Sequence, residues 1–141
     1  MDIIKIIPEG VTALIPCSQL EYTRKYLIEF QDQIHRLAIA LQLCPKIGET
    51  EGAKEHPAIF HFFYAGTDIF ICEYDSKDLM FGYTILSGDL QNAEWGYTSL
   101  SEITKLPQFN IDYYFPVQTI EAALYKAYPK HYKKPQSLSD K

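Results

Sequence analysis

The stretch that decides the fold is IFHFFYAGTDIFICEYDSKDLMFGYTILSGDLQNAEWGYTSLSEITKL, residues 59–106. Aromatic and apolar runs alternate in it with short turn segments, which is typical of strands joined by tight connections. The predicted strands are Ile59–Tyr64, Asp68–Tyr74, Leu79–Leu86 and Ala93–Thr98. Because the connections are short, neighbouring strands are expected to be antiparallel. The stretch therefore predicts a four-stranded meander that runs into a short helix.

The register of the meander is predicted from the centres of its turns. It places Ile71, Gly82 and Tyr97 side by side on one face, where the tyrosine ring fills the space above a strand glycine. The same face is expected to carry Ile69, Glu73, Met80, Thr84 and Trp95. The opposite face is expected to carry Phe70, Cys72, Tyr74, Leu79, Phe81, Tyr83 and Ile85. Both faces are apolar and need cover, and Gly96 is expected to leave room for the cover of the second face.

Helical patterns flank the meander on both sides. Before it, a capping box begins at Ser18, and apolar residues three and four apart follow, which predicts one long helix over Gln19–Leu43. After it, a second capping box at Ser99 starts the short helix. Ile111–Phe115 is a predicted fifth strand, and Val117–Tyr128 is a predicted last helix.

These elements predict an α+β fold in a single domain, residues 1–141. An antiparallel sheet of about five strands, the meander 59–98 plus strand 111–115, carries the long N-terminal helix and the C-terminal helix. The long helix covers one face; the C-terminal helix or a second copy of the chain, as in a homodimer, covers the other. Residues 130–141 are polar and basic and are expected to form a flexible tail.

Composition narrows the functional classes. The chain has 141 residues and a net charge of -5, which argues against nucleic acid as a partner and leaves an ordinary acidic surface or one that attracts a basic partner. Its 3 cysteines are widely spaced and odd in number, which favours reduced thiols in the cytoplasm over a disulfide framework. No apolar run reaches the length of a signal peptide or a membrane span.

Three motifs follow one another along residues 57–115: Ile71-Cys-Glu-Tyr-Asp75, Phe81-Gly-Tyr83 and Glu94-Trp-Gly-Tyr-Thr-Ser-Leu-Ser-Glu-Ile103. With these the chain resembles a bacterial domain-of-unknown-function family carried on plasmids, phages and integrative conjugative elements. That family pairs a T-E-F/L-D strand with an F-G-Y/L strand and continues with E-L-G-Y-x-S-L-x-E-L. The resemblance implies an encoding element, and no reaction comes with it.

The candidate catalytic residues are Glu73, Glu94 and Asp112, because paired carboxylates can do acid–base work or hold a metal ion. The plainer alternative is that they accept hydrogen bonds from turns and caps. Trp95, Tyr97 and Tyr83 are the candidate binding residues, since exposed rings on a sheet can stack on a ligand. No metal-binding motif and no nucleotide or cofactor fingerprint is present, so no cofactor is predicted.

Three functions remain as hypotheses. The leading one is an accessory protein of a mobile genetic element that acts in the cytoplasm by contact with another protein, whose identity the sequence leaves open. The second is a small hydrolase or metal-dependent enzyme that uses a carboxylate cluster on the sheet. The third and weakest is binding of single-stranded nucleic acid by the aromatic rings.

Overall fold

The computed structural model describes residues 3–138 and has the predicted α+β class. Five antiparallel strands form the main sheet in the order β5-β4-β3-β2-β6, and β1 and β7 form a separate antiparallel pair. The strands are β1 Pro57–Ala58, β2 Phe60–Tyr64, β3 Thr67–Tyr74, β4 Leu79–Ile85, β5 Glu94–Ser99, β6 Asn110–Ile111 and β7 Gln118–Thr119. The helices are α1 Glu9–Leu14, α2 Cys17–Lys25, α3 Gln31–Leu43, α4 Leu100–Thr104 and α5 Ile120–Ala127. The predicted meander is confirmed as β2 to β5.

The predicted register is right between β3 and β4 and wrong by one residue at β5. Ile71 lies opposite Gly82, as expected, but Gly82 lies opposite Gly96, and Tyr97 lies opposite Phe81. The prediction took the centre of each loop as the point about which two strands pair. In the connection before β5, a turn of 3-10 helix at Leu90–Asn92 displaces that centre, and the predicted register is shifted as a result. Trp95 and Tyr97 therefore lie on the face opposite to the predicted one.

A β-bulge in β3 changes a second assignment. Ile71 pairs with Gly82 but Glu73 pairs with Phe81, so Cys72 is an extra residue on this strand. The insertion reverses the alternation beyond it. Glu73 consequently shares a face with Phe81, and the prediction that placed it on the Gly82 face is wrong. We call this face, with Phe70 and Glu73, the aromatic face and the other the helical face.

The two glycines of the sheet differ in what surrounds them. A Cβ built on Gly82 would lie 1.9 Å from the carbonyl oxygen of Phe70, so the backbone of β3 occupies the space that a side chain would need. The predicted contact with the Tyr97 ring is not the reason for this glycine. A Cβ on Gly96 would meet nothing within 4 Å, and the predicted packing of a cover against Gly96 is also wrong.

The N-terminal helices cover the helical face. Apolar side chains of α1, α3 and α4 pack there against the inner residues of β2, β3 and β4. The buried residues of this core include Leu14, Ile34, Leu37, Phe60, Phe62, Ile71, Met80, Leu100 and Ile103. This arrangement confirms that the helical stripe is turned towards the sheet.

The single long helix predicted over Gln19–Leu43 is divided into α2, a turn of 3-10 helix at Leu27–Phe30, and α3. The side-chain amide of Gln31 links the N-terminal segment to this break. It accepts from the backbone N–H of Ile4 at 2.5 Å and donates to the carbonyls of Ile4 and Leu27. The backbone of Ile4 is thus hydrogen-bonded to the Gln31 side chain beside the break, and helical periodicity does not predict this long-range contact.

The C-terminal helix covers the aromatic face, as predicted. Ile120, Ala123 and Leu124 of α5 pack on Phe70 and Cys72 and on the buried parts of β4. The helix is shorter than expected because its predicted first residues form β7, which pairs with β1. Thr119 caps its N-terminus by accepting from the N–H of Ala122.

The fifth strand is shorter than predicted, and the segment after α5 makes contacts that the sequence did not predict. The fifth strand, predicted over Ile111–Phe115, pairs with β2 only at residues 110–111. It ends there because the chain turns at Asp112, whose carboxylate accepts a hydrogen bond from the N–H of Tyr114. The flexible tail was predicted over residues 130–141, of which 139–141 lie outside the described residues, and two of the described ones contact the domain. The Tyr132 hydroxyl lies 3.0 Å from that of Tyr83, and Ser137 donates its N–H and hydroxyl to Glu55.

Candidate functional site

The bulge and the register of β5 bring one carboxylate and three aromatic rings together. Glu73, Phe81, Trp95 and Tyr97 lie side by side on the aromatic face, beyond the area that α5 covers. Trp95 stacks on Phe81 at 6.1 Å between ring centroids, and Tyr97 meets the edge of Phe81 at 5.1 Å. Trp95 is 36% exposed and Tyr97 is 64% exposed, so both rings remain open to solvent.

The carboxylate of Glu73 is only 3% exposed and is held by the loop between α3 and β1. One oxygen, Oε1, accepts from the N–H of Gly48 at 2.7 Å. The other, Oε2, accepts from the N–H of Thr50 at 2.9 Å and from the Thr50 hydroxyl. Burial raises the pKa of Glu73, but these hydrogen bonds together with nearby His56 outweigh it and leave the pKa below its ordinary value. Glu73 is therefore an anion at neutral pH.

The loop that holds Glu73 also forms one wall of the site. Gly48 has a φ of 91° and Gly52 a φ of 82°, a region that glycine enters without strain. These turns direct the N–H groups of residues 48 and 50 towards the carboxylate. The polar loop predicted here thus packs around the buried carboxylate of Glu73 and lines one side of the site.

His56 forms the opposite wall and is fixed by Glu121 of α5. The Glu121 carboxylate lies 2.7 Å from the His56 Nδ1 atom and accepts from the His56 backbone N–H, also at 2.7 Å. The imidazole lies against Trp95, with 4.4 Å between ring centroids. Within residues 3–138, the Nε2 atom has no hydrogen-bond partner. Glu121 therefore orients the ring and leaves one nitrogen available at the site.

Together these groups enclose a cavity of ≈ 360 Å³, which we call the Glu73 pocket. Its acidic lining residues are Glu51 and Glu73, and none of its lining residues, all within the described part of the chain, is Lys or Arg. The pocket is therefore acidic and aromatic. It is lined by Gly48, Thr50, Glu51, Gly52, His56, Glu73, Phe81, Trp95 and Tyr97.

The three carboxylates predicted as a catalytic set do not share this pocket. Glu94 is exposed and pairs with Thr84, on the helical face of β5. Asp112 follows β6 and lies 3.3 Å from Nδ1 of His61, whose Nε2 lies 2.7 Å from Asp68. The structure thus brings only Glu73 to the site. Asp112 belongs to a separate cluster in which one histidine bridges two carboxylates.

The predicted binding residues divide in a different way. Trp95 and Tyr97 line the pocket, whereas Tyr83 is 9% exposed and packs edge-to-face against Trp95, with 5.2 Å between ring centroids. Tyr83 therefore supports the tryptophan. His56, Thr50 and Glu121 were not among the predicted site residues. The two glycines in the polar loop before the aromatic strands are the sequence feature that points to a shaped loop there.

A second cavity of ≈ 310 Å³ lies between α3 and residues 111–117. Its walls are mostly apolar, and Arg36 and Asp112 are its charged lining residues. Arg36 donates to the carbonyl of Phe115 at 3.3 Å, so its guanidinium already has a partner. The chemistry of a candidate site is accordingly concentrated in the Glu73 pocket.

The described residues, 3–138, also bear on metal binding and on membrane crossing. No group of three or more His, Cys, Asp or Glu side chains in this range is arranged to hold a metal ion. None of the helices described there combines the length and the apolar character that a membrane crossing requires.

Comparison with protein-family models, with curated proteins and with solved structures finds no match for this chain. The chemistry of the Glu73 pocket is consequently the basis for assigning a function.

Proposed function

We propose that the protein is an accessory protein of a mobile genetic element and that it acts by binding another protein at the Glu73 pocket. The observation that carries the proposal is the pair of exposed rings, Trp95 and Tyr97, beside a buried, ionised carboxylate. Tryptophan and tyrosine dominate the energetics of protein interfaces when they surround a desolvated pocket. The link to a mobile element comes from the resemblance of residues 57–115 described above.

The arrangement favours binding over the alternative of a carboxylate-based enzyme. Glu73 is buried, and its Oε2 atom already accepts two hydrogen bonds from Thr50. Such a carboxylate is better suited to provide a fixed negative charge than to exchange protons with a substrate. Glu94 and Asp112 lie elsewhere, so the carboxylate set predicted for acid–base work does not come together at Glu73.

The same charges argue against nucleic acid at this surface. Bases could stack on Trp95 and Tyr97, but the attached phosphates would approach Glu51 and Glu73 with no lining Lys or Arg to neutralise them. A protein partner that presents a basic group fits both the rings and the acids.

The proposal places the protein in the cytoplasm, where thiols stay reduced. Its cysteines are all free in the structure. Burial raises the pKa of Cys44 to about 12 and that of Cys72 to about 11, so both are neutral thiols of low reactivity.

Site-specific photo-crosslinking tests the proposal. A photoreactive phenylalanine replaces Tyr97 in one variant and Tyr22 in a matched control, because Tyr22 is also an exposed tyrosine, 57% against 64%, and belongs to α2 on the other side of the sheet. In cells, the variant at position 97 should trap a defined protein that the variant at position 22 does not.

The trapped protein is then identified by mass spectrometry, purified and titrated against the intact chain. Tyr97→Ala should weaken its binding about tenfold, and Tyr22→Ala should leave it unchanged, because only the first ring lines the pocket. Equal trapping from both positions, or equal affinities of the two alanine variants, would contradict a contact at the Glu73 pocket.

A further inference from the structure

We propose that the Glu73 pocket binds an alkylammonium group and that its natural occupant is a lysine side chain of the partner protein. This inference rests on the proposed function, because it assigns the chemistry of the partner at the same site. Four features of the pocket support it: its charge, the acceptor left on Glu73, the rings and the orientation of His56.

The charge of the pocket selects a cation. Glu73 is ionised, Glu51 stands at the rim, and none of the described lining residues is Lys or Arg. A buried anion that no lysine or arginine neutralises stabilises a ligand that brings a positive charge, and the low local dielectric strengthens that attraction.

The acceptors left on Glu73 select an ammonium over a guanidinium. A carboxylate oxygen has two lone pairs, and the two donors from Thr50 occupy both on Oε2. Gly48 occupies one on Oε1, which leaves a single acceptor position. A guanidinium fork needs both oxygens for its paired hydrogen bonds, whereas an ammonium can donate to one oxygen alone.

The aromatic rings supply the remaining attraction. A cation within about 6 Å of a ring centroid is attracted by the electron-rich face of the ring, and tryptophan is the strongest of these partners. The rings of Phe81, Trp95 and Tyr97 line the same cavity as the carboxylate. They also contact the apolar methylene chain that a lysine carries below its ammonium group.

The orientation of His56 keeps the pocket open beside Glu73. Glu121 holds the Nδ1 atom of His56 at 2.7 Å, and the imidazole lies against Trp95, with 4.4 Å between ring centroids. An ammonium group has three donors, and the open position on Glu73 Oε1 and the ring faces beside it are available to them.

Trp95 is the single tryptophan of the chain, so its fluorescence reports directly on the pocket. The intact protein is titrated with Nα-acetyl-lysine-N-methylamide, with the same compound acetylated on Nε, and with the arginine analogue. The lysine compound should change the Trp95 emission in a saturable way, and the arginine compound should bind at least about tenfold more weakly. The Nε-acetylated compound, which has no charge, should produce no saturable change.

A result in which the acetylated or the arginine compound binds as well as the lysine compound overturns the inference. Spermidine is titrated in parallel, because a free polyamine carries the same alkylammonium chemistry. If spermidine binds more than about tenfold tighter than the lysine compound, a small-molecule amine is the occupant and the assignment to a lysine side chain is wrong.

A matched pair of variants locates the charge that is responsible. Glu73→Gln should weaken binding of the lysine compound at least about tenfold, and Glu94→Gln, which removes the same charge next to Trp95 on the other face, should not. If circular dichroism shows that Glu73→Gln does not fold, Tyr97→Ala replaces it, because that exposed ring can be removed with the carboxylate left in place. Equal losses in Glu94→Gln and the pocket variant would overturn the inference.

The two proposals fail in distinguishable ways. A trapped protein that depends on Tyr97, together with lysine compounds that do not bind, removes the lysine assignment and leaves the protein-binding function. Saturable binding of the lysine compound, together with no protein trapped from position 97, removes the protein-binding function and leaves a pocket for an alkylammonium group.

Discussion

Glu73 connects the fold to the candidate site at the scale of single residues. Its carboxylate holds the loop at Gly48 and Thr50 and also supplies the negative charge of the pocket. The sequence identified Glu73 as a charged residue in an apolar strand, which is a reliable indication of a special role. The partners of Glu73 come from a loop more than 20 residues away in the chain, as the separations of 25 and 23 residues show, and no local pattern encodes such a contact.

Replacement of this carboxylate by its amide tests the first role. Glu73→Gln exchanges an acceptor for an NH2 group that faces an N–H donor of the loop, so it should destabilise the protein by about 1–3 kcal/mol. Urea unfolding at pH 7 measures the change. Glu94→Gln is the control, and its exposed position should keep the free energy of unfolding within about 0.5 kcal/mol of wild type. A Glu73→Gln variant as stable as the control would contradict the hydrogen bonds described here.

The pH dependence of stability should carry the same signature. Because the pKa of Glu73 is lower in the folded protein than its ordinary value of 4.5, the unfolded chain binds more protons around that pH. The stabilisation is therefore complete above 4.5 and is lost as the pH falls through the folded pKa. Urea unfolding at a series of pH values from neutral downward should show a steeper loss below pH 4.5 for wild type than for Glu73→Gln. Parallel curves would show that Glu73 has no lowered pKa.

At the scale of elements, the bulge in β3 and the turn before β5 decide which side chains meet. The strands, their order and the helix on each face follow from aromatic runs, turns and capping boxes, which are local features. The face on which each side chain lies does not follow from these local features, because one inserted residue reverses the alternation along a strand. No feature of the sequence indicates that Cys72 is the inserted residue. The bulge explains why Glu73 was predicted on the wrong face, and the turn before β5 explains the same error for Trp95 and Tyr97, whereas Phe81 and Tyr83 were predicted on the right face.

The paired glycines test the observed register. Gly82→Val should destabilise the protein by about 1–3 kcal/mol, since its Cβ would meet the backbone of Phe70 and Ile71 and the sheet would have to shift. Gly96→Val, on the neighbouring strand, has open space and should be neutral or stabilising because valine favours extended backbone. Thermal melts of both variants measure the difference. A higher midpoint for Gly82→Val than for Gly96→Val would contradict the close approach of the β3 backbone to Gly82.

At the scale of the whole molecule, the two faces of the sheet are covered by different parts of the chain. The N-terminal helices close one face, and α5 with the segment up to residue 138 closes part of the other. The uncovered part is the Glu73 pocket. The sequence predicted that both faces need cover, but which area stays open depends on the length of α5 and on the path of the chain after Pro129, and these are set by tertiary contacts.

The contact of the C-terminal segment with the sheet can be measured on its own. Tyr132→Ala removes a ring that packs against Tyr83 at 6.1 Å and should destabilise the protein by about 1–3 kcal/mol. Lys133→Ala is the control, because this neighbouring side chain is exposed. Urea unfolding of the two variants compares them, and equal stability of both would support the flexible tail that the sequence predicted.

The most direct test of the central claim, a pocket in which Glu73 and Trp95 receive an ammonium group, is a nuclear magnetic resonance titration of the ¹⁵N-labelled protein. The probe is Nα-acetyl-lysine-N-methylamide, and the signals followed are the amides of Gly48 and Thr50 and the indole N–H of Trp95. Val117, which is fully exposed beside the other cavity, is the internal control. The account predicts saturable shifts of the first three signals with a common dissociation constant and none at Val117. Shifts at Val117 alone, or no shift at Thr50 and Trp95 while the probe is in excess, would contradict it.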